Sequence, residues 1–245
     1  MSITPQHIIF DMDDTLIHCN KYFDLILGDF FEWMTDWFSP FGLTTEEVRS
    51  KQIEIDIAGT KQLGFASTNF PQSLIATYRH YCQAHGRTPS TAEEEQLFVL
   101  GMSVYDQEVE PYPGMVETLE RLQADGHRLY LYTGGEARIQ QRKIEQMKLA
   151  DYFEDRIYIR RHKNIEALEE IVSAGSFDRS HTWMIGNSLR TDVVPALTAG
   201  INSIYLKQQR EWEYNLVELK QEPHNVLYTV SALTEVPDVI HHHFM

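Results

Sequence analysis

From Arg128 onward, short apolar runs recur between stretches of helical period. The runs are RLYLYT (128–133), DRIYIR (155–160), HTWMIG (181–186), INSIYL (201–206) and NVLYTV (225–230). Their length and their β-branched and aromatic content predict strands. Between them, EARIQQRKIEQMKL and NIEALEEIVSAG repeat apolar residues at helical spacing. Strand and helix alternating in this way predict βαβ units and a mainly parallel sheet, an α/β fold. HIIFD near the N-terminus is a strand of the same kind. It is expected to join this sheet from far away in sequence.

Residues from about 16 to 110 lack that rhythm. Aromatics recur there at helical spacing: Phe23, Phe30, Phe31, Trp33, Trp37 and Phe38. They predict the core of a helical bundle. TTEEVRSKQIEI, FPQSLIATYRHYCQAHG and TAEEEQLFVLGMSVYD read as helices. The first and last open with Thr-x-x-Glu, the pattern of a capping box. EPYPGM (110–115), with two prolines and a glycine, reads as the return to the α/β part. The expected organisation is a core of residues 1–15 and 111–245, interrupted by a helical domain over 16–110.

Composition narrows the function classes. The chain has 245 residues, and 36 acids outnumber 21 bases for a formal charge of −15. That balance disfavours nonspecific binding to nucleic acid or to anionic membranes. Cys19 and Cys82, without CxxC spacing, read as free thiols in a reducing, cytoplasmic setting. No secretory signal is visible and no apolar run reaches membrane-spanning length. The three histidines of IHHHFM read as native tail rather than a metal site.

The chemistry concentrates at strand ends. After HIIF come Asp11, Asp13 and Asp14, three acids within four residues. Carboxylates this close repel, and burial worsens the repulsion, so a divalent cation is the expected compensation. Ligands in open parallel sheets gather beyond the carboxyl ends of the strands. Thr133 follows the second strand with Gly134 and Gly135, a hydroxyl and open backbone suited to a phosphate oxygen. GNSLRTD places Asn187 and Asp192 after another strand, hard oxygen donors suited to Mg²⁺. Asp192 also reads as the N-cap of the helix that carries Pro195.

These residues resemble the haloacid dehalogenase superfamily of aspartate-nucleophile phosphohydrolases. DMDDT matches its DxDxT signature, and YTGG its second motif, although Gly134 stands where the family often has Asn. Lys163, in RRHKNIEAL, falls where the third-motif lysine is expected. GNSLRTD is similar to the fourth motif, usually GDxxxxD, with Asn187 in place of the first acid. The likeness runs from Ile8 to about Gly200.

The resemblance implies a Rossmann-like core with an α-helical cap, and Mg²⁺-dependent hydrolysis of a small phosphorylated metabolite. Asp11 would be the nucleophile and Asp13 the general acid and base. Lys163 would balance charge, and Thr133 and the Gly134 N–H would hold phosphate. The metal would be held by Asp11, Asp13, Asn187 and Asp192. Thr15 is expected to fix the nucleophile loop, and Asp14 to serve local structure. Lys143, Arg160 and Arg161 are rivals to Lys163, but Lys143 is expected at the surface of its amphipathic helix. Substrate choice would rest in the cap, with AGTKQLGFAS (58–67) the cap loop expected to face the site. Phosphomutase, dehalogenase and noncatalytic phospholigand-binding readings stay open, as does the choice between monomer and homo-oligomer.

Overall fold

The computed structural model describes residues 4–219 and 225–244. Met245 of the histidine tail, and residues 1–3 and 220–224 of the expected core, lie outside them. The chain divides into two compact units, Met1–Cys19 with Val109–Met245, and Asn20–Glu108. The first unit therefore reaches past the expected bounds at residues 15 and 111. Leu16 and Ile17 are buried in its core, and Ile17 bridges both Asp13 and Pro111.

In the helical unit, four helices form in succession: α1 Asn20–Trp37, α2 Thr45–Leu63, α3 Asn69–Ala84 and α4 Thr91–Met102. Phe30, Phe31, Met34, Phe38, Leu74, Tyr78 and Leu97 fill its core, with Phe23, Trp33 and Trp37 packed against them. Thr44 caps α2 with the reciprocal Glu47 capping box that its sequence predicts. The second expected box is absent. Ser90, not Thr91, is the N-cap of α4 and makes no side-chain cap. Glu93 and Glu94 are drawn sideways instead, Glu93 to Tyr78 and Arg87, and Glu94 to Arg79. Charge-assisted pairs outcompete the weaker cap.

The other unit holds β1 His7–Phe10, α5 Met115–Ala124, β2 Arg128–Gly134, α6 Ala137–Gln146, α7 Ala150–Phe153 and β3 Ile157–Arg160. It continues through α8 Ile165–Ala174, β4 Thr182–Gly186, α9 Val194–Thr198, β5 Asn202–Leu206, β6 Leu227–Val230 and α10 Val236–His243. The strands form one six-stranded sheet in the order β3-β2-β1-β4-β5-β6, and every pairing is parallel. Each strand presents alternate residues to opposite faces. Ile8, Phe10, Leu129, Leu131, Trp183 and Ile185 enter one apolar layer with residues of α5 and α10. Ile9, Tyr130, Tyr132 and Met184 enter the other with residues of α8 and α9. Burial on both faces is why the strands read as continuous apolar runs.

The helix expected over residues 136–149 stops early. Lys148 adopts a left-handed backbone, φ 51°, and Leu149 N–H returns to Ile144 O while Lys148 N–H returns to Glu145 O. This is a Schellman stop built without glycine, and α7 starts afresh at Ala150. Among the described residues no helix is long and apolar enough to cross a membrane.

Candidate active site

The order in which strands are added reverses beside β1: β2 and β3 lie on one side of it and β4, β5 and β6 on the other. This switch point leaves a crevice at the carboxyl ends of the central strands. Asp11 follows β1, Thr133 lies at the end of β2, and Asn187 follows β4.

Asp11 is buried and fixed at three points. Its N–H donates to Ile185 O at 2.9 Å, which extends the β1–β4 ladder by one residue. Thr15 Oγ1 donates to Oδ2 at 2.9 Å, and Lys163 Nζ donates to Oδ1 at 2.6 Å. The same ammonium donates to Asp192 Oδ1 at 2.5 Å. Burial pushes the Asp11 carboxyl above its ordinary range, against the pull of Lys163, and the charge of Asp192 adds to the rise. Burial alone lowers the Lys163 ammonium, but attraction to Asp11 and Asp192 outweighs it and raises the group. One cation thus serves two buried carboxylates, and a residual negative charge remains among them.

Asp192 does not cap α9, contrary to that reading of the sequence. It sits in a π-helical turn, Leu189–Val193, whose N-cap is Ser188. Its Oδ2 accepts the Ser188 N–H at 2.9 Å, so the carboxylate is folded back toward the end of β4. Single π-helical turns occur frequently at functional sites because they re-aim side chains. Asn187 is buried beside this turn.

Asp13 is held by different groups. Its Oδ1 accepts Lys143 Nζ at 2.7 Å, and its Oδ2 accepts Gln140 Nε2 at 2.8 Å. Lys143 is therefore not the surface residue its helix suggested, and its side chain is 14% exposed. Burial alone lowers its ammonium, and Asp13 more than restores it, leaving it raised. Gln140 also donates to Thr133 Oγ1 at 2.7 Å and to Gly134 O at 2.9 Å. The –NH₂ of Gln140 has two hydrogens for these three acceptors, so one hydrogen is shared, and the Thr133 hydroxyl accepts in its contact. Leu131 and Gly135 N–H groups donate across to β3, at Arg156 O and Arg160 O. By the alternation of a parallel ladder, the Gly134 N–H between them lies on the β1 side.

Asp14 takes a left-handed backbone, φ 58°, and its carboxylate accepts the Cys19 N–H at 2.9 Å. It shapes the loop. Arg160 pairs weakly with Glu170 at 4.0 Å, away from Asp11. Sequence reasoning missed Gln140 and set Lys143 aside. Their spacing of three on α6 was the available signal, since residues so spaced share a helix face.

Among the described residues no three His, Cys, Asp or Glu side chains form a metal-binding group. The donors that do gather are hard oxygens, the carboxylates of Asp11 and Asp192 at Lys163, with Asn187 buried next to the turn that carries Asp192. Together with the unbalanced charge between Asp11 and Asp192, that donor set fits Mg²⁺, which binds few carboxylates and keeps waters.

Comparison with known proteins bears on the family and the fold. Residues 5–200 match the model of the haloacid dehalogenase-like hydrolase family. A glyceraldehyde 3-phosphate phosphatase of Methanothermobacter thermautotrophicus is 25% identical over 239 residues, covering 94% of this chain and 98% of that protein. A haloacid dehalogenase-like family hydrolase from Xanthomonas campestris has the same fold, with TM-score 0.78 at 24% identity over 98% of this chain and 92% of that one. So has an L-2-haloacid dehalogenase from Xanthobacter autotrophicus, with TM-score 0.61 at 14% identity over 97% and 99% of the two chains.

Proposed function

This chain belongs to the haloacid dehalogenase-like hydrolase family, and from that premise we propose that it is a Mg²⁺-dependent phosphohydrolase acting on a small phosphorylated metabolite in the cytoplasm. One observation carries the reading. Two carboxylates two residues apart are held by separate cations, Asp11 by Lys163 and Asp13 by Lys143. Separate environments suit a division of labour between nucleophile and proton carrier.

In this reading an Asp11 oxygen attacks phosphorus, and the bond from phosphorus to the leaving oxygen breaks. The departing oxygen keeps the electron pair and takes a proton from Asp13, which enters this step as the neutral acid and is restored to that form by the proton it later takes from water. Water then attacks the aspartyl-phosphate, Asp13 accepts its proton, and the Asp11 carboxylate leaves. Lys163 limits the repulsion between Asp11 and the incoming anion. Thr133 Oγ1 and the Gly134 N–H hold phosphate oxygens. Asp11, the Asp13 backbone carbonyl, Asn187 and Asp192 would hold the metal, which supplies further charge neutralisation at the phosphoryl group. The helical unit Asn20–Glu108 is read as the cap that sets substrate choice. Displacement of halide from carbon uses the same nucleophile but has no use for the separately held Asp13, and so is disfavoured.

The test is phosphate release from p-nitrophenyl phosphate and a panel of phosphometabolites, with Mg²⁺, with EDTA, and with Asp11→Asn protein. Release that needs both the metal and Asp11 is expected. Halide release from a chloroacid, undiminished by EDTA, would move the reading to dehalogenation.

A further inference from the structure

The proposed reaction asks Asp13 to meet two different oxygens in turn, the leaving group and then water. A carboxylate at the rim of a site is free to rotate unless something holds it. Asp13 is 25% exposed, and both its oxygens are nonetheless taken. Lys143 Nζ holds one at 2.7 Å and Gln140 Nε2 the other at 2.8 Å. Both holders project from α6, three residues apart, so they share one face of that helix.

Gln140 is itself locked. It is buried, and it bonds Thr133 Oγ1 and Gly134 O in the same grasp. Gly135 makes room for it, since a Cβ there would lie 2.9 Å from Gln140 Cδ, on a backbone at φ 143°. α6 thus ties the end of β2, where phosphate is read to bind, to the loop after β1 that carries Asp13. Lys143 in turn lies within 3.9 Å of Cys19 Sγ, at the far end of that loop. A salt bridge at the surface is worth little, but one formed by a mostly buried ammonium at short distance fixes geometry.

We infer that Lys143 and Gln140 are positioning residues of the reaction: they aim the Asp13 carboxylate at the leaving-group oxygen while leaving the Asp11 nucleophile untouched. The inference rests on the phosphohydrolase reading. It assigns them no contact with substrate. Lys143 acts on the reaction through Asp13, whereas Gln140 also holds Thr133 and Gly134 where phosphate is read to bind, so Lys143 gives the test its shape.

An aryl ester with a very good leaving group, 2,4-dinitrophenyl phosphate, needs no proton on departure. An alkyl phosphate such as glycerol 3-phosphate does. The first irreversible step sets kcat/KM, so the two esters separate acid assistance from nucleophilic attack. Lys143→Met is expected to lower kcat/KM for the alkyl ester by about 10- to 100-fold, a part of the roughly 100- to 10,000-fold that general acid catalysis contributes. For the aryl ester the change is expected to stay within about threefold, a margin small beside that range. Asp13→Asn sets the benchmark for the split, and Lys143→Arg should recover most of the loss. Thermal unfolding of each variant is measured alongside. Equal losses on both esters, or no loss on either, overturn the positioning role while leaving the phosphohydrolase reading intact. Wild-type protein that releases phosphate from neither ester removes the reading itself, and the inference with it.

Discussion

Gly186 closes β4, and a Cβ placed on it would lie 2.2 Å from Asp192 Oδ2. Asp192 cannot easily yield. Its Oδ1 is held by Lys163 and its Oδ2 by the Ser188 N–H. The methyl group of Gly186→Ala would therefore break a contact to a buried charge or shift the backbone of β4. Overpacking of this kind costs about 1–3 kcal/mol. The expected outcome is a less stable protein whose kcat/KM also falls, because the displaced carboxylate frees Lys163 from one partner. Gly28→Ala is the contrasting change. Its Cβ meets nothing within 4 Å in the middle of α1, and replacing a helical glycine with alanine stabilises by up to about 1 kcal/mol. Urea unfolding of the two variants should move in opposite directions. A neutral Gly186→Ala would show that Asp192 has room to spare.

Between α2 and α3 runs a buried polar seam. Gln52, Asp56 and Thr60 occupy every fourth position of α2 and are buried. Half-buried Asn69 and buried Ser73 and Thr77 are spaced the same way along α3, and Asn69 Nδ2 donates to Asp56 Oδ1 at 3.1 Å while Gln52 Nε2 donates to Ser73 Oγ at 3.1 Å. Burial raises the Asp56 carboxyl from 3.8 to about 6, opposed by the Ser73 hydrogen bond. The folded state then keeps a proton that the unfolded chain has already lost. Stability from this group is fully present below about pH 4 and fades as pH rises through about 6, by roughly 3 kcal/mol. Asp56→Asn cannot ionise, so its stability relative to wild type should rise by that amount between pH 4 and pH 7. A constant difference between the two unfolding profiles would refute the shift.

Local signals were legible in the sequence, and long-range contacts were not. Strands buried on both faces announce themselves by composition, and Thr44 announces its cap because its partner Glu47 lies only three residues on. Thr91 gave the same local signal, yet distant Tyr78, Arg79 and Arg87 claimed its glutamates. Lys148 ends α6 without the glycine that usually marks such a stop. At the site, Asp11, Thr133, Lys163 and Asp192 follow strands and are legible there. Gln140 and Lys143 lie on a helix, where a partner 130 positions away cannot be read from periodicity.

At the scale of the whole molecule, the order of the strands does what no segment does alone. It brings Asp11 and Asp192, with Lys163, to one ammonium at 2.6 Å and 2.5 Å. Two buried carboxylates sharing one cation leave a charge that a bound Mg²⁺ would offset, so the metal should stabilise the folded state over the unfolded one. At a concentration one hundred times its dissociation constant, a ligand specific for the folded state contributes about 2.7 kcal/mol. For a chain of this size that corresponds to a rise in Tm of about 5–10 °C. The formal charge of −15 complicates the measurement, because any salt relieves self-repulsion. NaCl at matched ionic strength isolates that screening effect. Asp192→Asn isolates the site: it changes the total charge by one and leaves Lys163 paired with Asp11. Wild-type protein should therefore gain stability from Mg²⁺ beyond its gain from NaCl, and EDTA should reverse it. In Asp192→Asn the excess should vanish while the NaCl response persists. An excess that survives in the variant would assign the cation to the acidic surface and away from these strands.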